Sequence, residues 1–191
     1  MPTEEKFTDI MDEQKRRAAR EDRIMSVAQY PDDRIKRALE AVERLAPYRE
    51  QLYAADEKYG FPPGTMIAQA AVESGGWPKN ITGTNRSSAG AAGIAQFLPG
   101  TARDMGLRVD EEVDERMDPR KAILAGAKYL SLMQEKSGGN LPTGLAKYNW
   151  GPGSVRKWER GGHTMPGETR DYIGVIATVR ELIQTPEEPK V

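Results

Sequence analysis

The stretch Ala70-Ala71-Val72-Glu73-Ser74-Gly75-Gly76 sets the reading of the whole chain. Upstream, Pro62-Pro63-Gly64 suits a helix start, because a proline in the first turn gives up no hydrogen bond that the helix needs. Met66, Ile67, Ala70 and Ala71 follow at i, i+1, i+4 and i+5, the spacing of one buried helical face. Gly75, Gly76 and Pro78 end the helix. Glu73 therefore falls in the last turn, among apolar neighbours. Unpaired carbonyls at a helix C-terminus carry partial negative charge, and apolar burial also disfavours a carboxylate. Both effects raise its pKa above an ordinary value of about 4.3. A carboxylic acid still protonated near neutral pH is the proton donor that cleavage of a glycosidic bond requires. Taken alone, the segment also fits a surface glutamate near a helix end.

Composition narrows the chemistry. The 191 residues suffice for one domain with a sizeable core and an appendage. No apolar run approaches the ~20 residues of a membrane span. The net charge of −1 gives no reason to expect nucleic acid or anionic lipid as a partner. The chain has no cysteine, so thiol nucleophiles, disulfides and thiolate metal sites are excluded. Its single histidine, His163, lies in a glycine-rich loop, and a zinc site would have to be built mostly from carboxylates. No metal or other cofactor is expected, and no glycine-rich phosphate loop is present. What remains is carboxylate chemistry.

Residues 1–50 differ from the rest: 11 Lys/Arg and 12 Asp/Glu, with none of the chain's 19 glycines. Residues 3–29 read as one charged helix with a weak stripe of Phe7, Ile10, Met11, Ala18 and Met25. Pro31-Asp32-Asp33 breaks it and caps a second helix, in which Ile35, Ala38, Leu39, Val42 and Leu45 form a clear apolar face. Residues 1–46 are thus expected to be a charged helical arm, either solvated and packed on the domain by its second helix or used for assembly and docking. The body of the domain is expected over residues 47–184, with a loose tail at 185–191.

Within 47–184 the signals are helical. Pro47 opens a helix to about Tyr59, and the Glu73 helix follows. Residues 75–92 form a long Gly/Ser/Thr/Asn-rich loop with room for a few short strands, and loops of that length in a compact domain are often functional. Pro99 starts a short helix to about Met105. The acidic run Asp110 to Asp118 lacks the order of a calcium loop and reads as a solvated face. Asp118-Pro119 caps a strong helix through about Lys136. Short helices follow at 141–150 and 155–160, and a last one runs from Pro166 to about Gln184. The expected fold class is mainly α, without alternating strand patterns or internal repeats.

With these segments in order, residues 47–184 resemble the lytic transglycosylases of the soluble, goose-lysozyme-like type, the SLT domain. Glu73-Ser74 resembles the family's Glu-Ser motif. Ser88 to Gln96 resembles its Ser-x-x-Gly-x-Gly-Leu-Met-Gln region, with Ile94-Ala95 in place of Leu-Met. Pro99-x-Thr101-Ala102, and Asp118-Pro119 followed by Ala125 to Leu130, match two further blocks. Ala146-Lys147-Tyr148-Asn149-Trp150-Gly151-Pro152-Gly153 resembles Ala-Ala-Tyr-Asn-Ala-Gly-Pro-Gly. Pro166 to Tyr172 resembles the closing Pro-x-Glu-Thr-x-x-Tyr block. Each block is weak alone; six in order are specific. Lys147 and Trp150 replace small alanines, which bears on subsite preference rather than reaction type.

The resemblance implies a lysozyme-like domain acting on peptidoglycan glycan strands. It implies cleavage of the β-1,4 bond between N-acetylmuramic acid and N-acetylglucosamine, with formation of a 1,6-anhydro sugar. Glu73 would be the general acid and then the base. Ser74 would orient Glu73 or the substrate, Gln96 and Asn149 would offer amides to the sugar, Tyr148 would hydrogen-bond near Glu73, and Trp150 would stack on a sugar or fill the core. A hydrolytic lysozyme would want a second carboxylate, for which Asp104 and Asp118 are the nearest in sequence. A third reading is a structural virion or secretion-apparatus component that binds peptidoglycan with little turnover. The polar first residues show no signal peptide. With the charged arm, this leads to the expectation of a phage virion-associated enzyme opening the host wall, with virion or secretion proteins as partners of the arm. The alternative is a periplasmic bacterial enzyme expressed without its signal.

Overall fold

The computed structural model describes residues 32–184. Among them are nine α-helices and two short 3-10 turns, with isolated bridges at Ala92–Phe97 and Val109–Asp114 in place of strands. The helices are α1 (Asp32–Arg44), α2 (Arg49–Tyr59), α3 (Thr65–Ser74), α4 (Pro78–Ile81), α5 (Pro99–Asp104), α6 (Pro119–Glu135), α7 (Leu141–Trp150), α8 (Pro152–Glu159) and α9 (Gly167–Leu182). Prolines open α4, α5, α6, α7 and α8, where the missing N–H goes unneeded. The Asp118 carboxylate caps α6 by accepting from Arg120 and Lys121, and Asn140 caps α7 by accepting from Thr143.

The Glu73 helix, α3, is the axis of the fold. Seven consecutive residues, Thr65 to Ala71, are buried, so the helix is enclosed on all sides and not along the single face that its spacing suggested. It packs against α1, α2 and α9, while α6 packs on α2 and α7, and α7 on α9. Its start is held from a distance. The Asp56 carboxylate accepts from the N–H groups of Gly64 at 2.8 Å and Met66 at 2.9 Å, two of the donors that a helix N-terminus leaves unpaired. Asp56 is buried, and desolvation pushes its carboxyl up to about 6 against those hydrogen bonds.

The second helix of the arm packs on the domain, as one of its two readings expected, so the boundary drawn at residue 46/47 cuts through the core. Ala38, Ala41, Val42 and Leu45 lie in the same main core as Leu52, Ile67, Ile123 and Ile176, so α1 belongs to the domain. It also secures the end of α3. Arg44 Nε donates to the Gly75 carbonyl at 3.0 Å, and its guanidinium lies 4.1 Å over the Trp77 ring. A Cβ on Gly76 would stand 2.6 Å from the Ala41 carbonyl oxygen, so only glycine lets α1 approach this closely. The first helix of the arm, read at residues 3–29, lies outside the described residues, as does the tail at 185–191.

A smaller second core joins Ala95, Phe97, Ala102, Leu107 and Ala125, with Tyr129 and Tyr148 packed against it. The long 75–92 loop carries α4 in place of the strands that its composition allowed. The acidic run proves more ordered than a solvated face. Asp110 Oδ1 accepts from the N–H groups of Glu112 and Val113, Asp114 pairs with Arg86 and Arg116, and Glu115 pairs with Lys121. Among the described residues, no group of three or more His, Asp or Glu is placed to hold a metal ion, and no helix is long and apolar enough to cross a membrane.

Candidate active site

Glu73 stands in the last turn of α3 on the wall of a small pocket, which it shares with Met66, Gln69, Ile94, Gly126 and Tyr148. Burial pushes its carboxyl from 4.5 up to about 7, and one hydrogen bond pulls partly against that rise. The hydrogen bond comes from Tyr172 on α9, whose hydroxyl donates to Glu73 Oε1 at 2.7 Å. Behind it, Gln69 Nε2 donates to the same Tyr172 oxygen at 3.1 Å. Gln69 and Glu73 are four residues apart and so occupy one face of α3, which lets a single tyrosine meet both. Tyr172 and Gln69 are both buried.

The pocket's far wall depends on close approach. On α6, a Cβ at Gly126 would lie 3.2 Å from the Ala95 Cβ and 3.6 Å from the Tyr148 hydroxyl oxygen. Phe97, Tyr129 and Tyr148 form a ring cluster with centroids 5.0 to 5.9 Å apart. The loop that carries Ile94 to Phe97 is pinned by Arg116, a buried side chain donating to the carbonyls of Gly90 and Phe97 while Asp114 balances its charge. Gly93, at φ +77°, turns the loop where any Cβ would sit 1.9 Å from the Arg116 carbonyl oxygen.

The residues singled out in the sequence divide on this geometry. Glu73 and Tyr148 share the pocket. The Tyr148 hydroxyl, however, donates to the Ala95 carbonyl at 2.9 Å, so the hydrogen bond expected from it toward Glu73 belongs to Tyr172. Ser74 is buried, its hydroxyl donating to Ala70 O at 2.8 Å and accepting from Gly76 N–H at 3.1 Å. It closes the helix end and has no free hydroxyl for Glu73 or a sugar. Gln96 holds a left-handed turn, φ +46°, and donates to the Gly93 carbonyl at 2.8 Å. Asn149 is exposed, its side-chain oxygen accepting from Thr169 at 2.9 Å. Trp150 packs against the main core and does not line the Glu73 pocket. Asp118 is occupied as the α6 cap, and Asp104 is exposed at the end of α5.

Three residues of the site were missed. In the sequence Tyr172 stands out only as the last letter of a motif, though a tyrosine has a polar end that must find a partner when buried. Gln69 carried a signal in its i, i+4 relation to Glu73. Arg116 offered no signal of its part in the site, since the carbonyls it holds lie 19 and 26 residues away. Lys147, at a family alanine position, is buried and donates to the Lys136 carbonyl at 2.8 Å, at the C-terminal end of α6.

Comparison with known proteins bears on the family. A family model described as the transglycosylase SLT domain matches residues 51–169. The chain is 34% identical over 109 residues to an endo-type membrane-bound lytic murein transglycosylase A of Klebsiella pneumoniae, covering 54% of this chain and 48% of that protein. It is 33% identical over 101 residues to the soluble lytic murein transglycosylase of Escherichia coli, covering 51% of this chain and 15% of that one. The chain thus spans about half the length of the first of these relatives and less of the second. Among solved structures it is similar to an inactive glutamate-to-glutamine mutant of lytic transglycosylase Slt from Pseudomonas aeruginosa. The TM-score is 0.59 at 25% identity, over 72% of this chain and 24% of that one. With the family model spanning more than half of its length, on a helical fold of the same kind, the chain belongs to the transglycosylase SLT domain family.

Proposed function

We propose that this chain is a lytic transglycosylase that cleaves the β-1,4 bond between N-acetylmuramic acid and N-acetylglucosamine in peptidoglycan, with Glu73 as both acid and base. One observation carries the reading: among the described residues Glu73 is the only acid lining its pocket, where burial pushes its carboxyl up to about 7. The protonated carboxyl gives its proton to the bridging oxygen as the C1–O bond breaks. The resulting carboxylate then takes the proton of the muramoyl C6 hydroxyl as that oxygen closes on C1, so the acid is regenerated and no water is consumed. An intramolecular nucleophile has a high effective concentration, which removes the need for a second carboxylate to activate water. The inactive glutamate-to-glutamine form of the P. aeruginosa relative supports a glutamate in this role.

Gln96 and Asn149 are proposed to face the sugar through their amides. The setting proposed is virion-associated, with the wall opened as phage DNA is delivered. It is supported by the composition of residues 1–50 alone, in which 23 residues are charged and none is glycine.

The test is mass spectrometry of soluble products released from purified peptidoglycan by the wild type and by Glu73→Gln. Anhydro-muropeptides from the wild type, lost in the variant, are the expected result. Reducing-end products one water heavier would mean a lysozyme, and no release from either protein would mean a binding component.

A further inference from the structure

Around Glu73 there is a chain of donors that runs in one direction. Tyr172 has a single hydroxyl proton, directed at Glu73 Oε1. Gln69 supplies an N–H to the oxygen of that hydroxyl. The other end of the Gln69 amide, Oε1, is buried and has no hydrogen-bond partner. An unpaired buried carbonyl is costly, and it is the one feature of this group that packing alone does not explain. Turned over, the amide would present its oxygen to Tyr172 and compete with Glu73 for the tyrosine proton.

Resting on the reading of Glu73 as acid and base, we propose that Gln69 is a positioning residue: by donating to Tyr172 it keeps the tyrosine hydroxyl donating to Glu73 Oε1, so that the proton transferred in catalysis resides on Oε2. In both ionisation states Oε1 then remains an acceptor. The proton that Glu73 gives to the bridging oxygen, and later takes from the C6 hydroxyl, is carried by the same atom. No group is consumed or oxidised; only the site of the carboxyl proton is fixed.

The surroundings leave few rivals for this control. From α9, Tyr172 faces Glu73; from α7, Tyr148 does, but its hydroxyl donates to the Ala95 carbonyl. Tyr129 of α6 stands behind Tyr148 at 5.0 Å between ring centroids. Burial raises the pKa values of all three phenols, so they stay neutral while Glu73 titrates. The contributions of α2 and α6 to the pocket wall are Leu52, Ala122, Ile123 and Gly126, all without charge. Arg44 of α1 donates to the Gly75 carbonyl instead.

The experiment compares wild type, Gln69→Leu and Gln69→Glu by two readouts. The first is the 13C titration of the Glu73 side-chain carboxyl, assigned by its loss in Glu73→Gln, and it needs no activity. Releasing Tyr172 weakens its donation to the ionised carboxylate. The Glu73 midpoint is therefore expected to move to higher pH by about 0.5–1 in Gln69→Leu, the equivalent of one hydrogen bond of modest strength. The move should be larger in Gln69→Glu, which adds a competing acceptor and a like charge. The second readout is anhydro-product formation, where kcat is expected to fall about 10-fold or more with KM little changed. The alkaline limb of the pH profile should follow the titration. An unmoved midpoint in both variants overturns the inference, whatever the activity. A wild type without anhydro products overturns the reading of Glu73 instead, and the titration separates the two. Should Gln69→Leu not fold, Gln69→Met, close to glutamine in length, takes its place.

Discussion

Glu73 is held at a cost that can be measured without substrate. Burial lifts its carboxyl from the ordinary 4.5 up to about 7 in the folded chain. The folded state therefore binds the proton more tightly, and stability falls as pH rises between those values. Above about 7 the carboxylate destabilises the fold by roughly 2 kcal/mol after allowance for screening at the pocket mouth, and below about 4.5 it does not. Glu73→Gln, still able to accept from Tyr172, should thus be more stable than the wild type in thermal melts at pH 8 and equal to it near pH 4.5. An equal melting point at both would mean an unperturbed glutamate. At Gly93 the prediction is steric. Gly93→Ala places a methyl on the Arg116 carbonyl in a left-handed backbone, so a loss of about 3 kcal/mol or more is expected in denaturant unfolding, with activity lost as well.

At the scale of elements, what could be read in the sequence was whatever is signalled locally. Asp118-Pro119 marks the start of α6 because the cap and the proline adjoin the helix they start. The Gly75-Gly76 pair marks the end of α3 for the same reason. The start of α3 was expected at Pro62-Pro63-Gly64 with a proline in its first turn, whereas the helix begins at Thr65, both prolines precede it, and its cap comes from elsewhere. Asp56 sits in the preceding helix, eight residues from Gly64, and only the folded α2–α3 turn brings them together. Asp56→Ala leaves two buried N–H groups unpaired and is expected to cost about 2–3 kcal/mol in urea unfolding, with faster amide exchange in the first turn of α3. Asp56→Asn, which keeps one acceptor, should recover part of that loss. The two ends of the loop from 75 to 92 escaped local reading because Arg44 ties Gly75 and Arg116 ties Gly90, both from positions remote in sequence.

For the molecule as a whole, membership of α1 in the domain was the least legible feature. Its charge composition resembles the residues before it, whereas its packing belongs to the residues after it; only the apolar spacing from Ile35 to Leu45 hinted at this. A chain starting at Ala46 would lose the burial of Ala38, Ala41, Val42 and Leu45 and the Arg44 contacts with Gly75 and Trp77. Circular dichroism melts of that truncation should show a domain destabilised by about 3 kcal/mol or more, or unfolded. A truncation as stable as the full chain would return α1 to the status of an arm. The site itself is a product of the whole fold, since Glu73 and Tyr172 stand 99 positions apart and neither α3 nor α9 alone has any use for the pairing.

The enclosure of α3 sets a rule for chain length. Asp56 fixes the first turn of this helix, Arg44 grips the carbonyl just past its last, and neighbours surround it between. One residue inserted within the helix, for example after Ile67, would swing Glu73 by roughly 100° about the axis and push it about 1.5 Å along. The carboxylate would then leave the reach of Tyr172, and no amount of relaxation at the surface could bring it back. Substitutions in α3 can be absorbed one side chain at a time, but insertions and deletions cannot, so natural variation in length should be confined to the loops on either side.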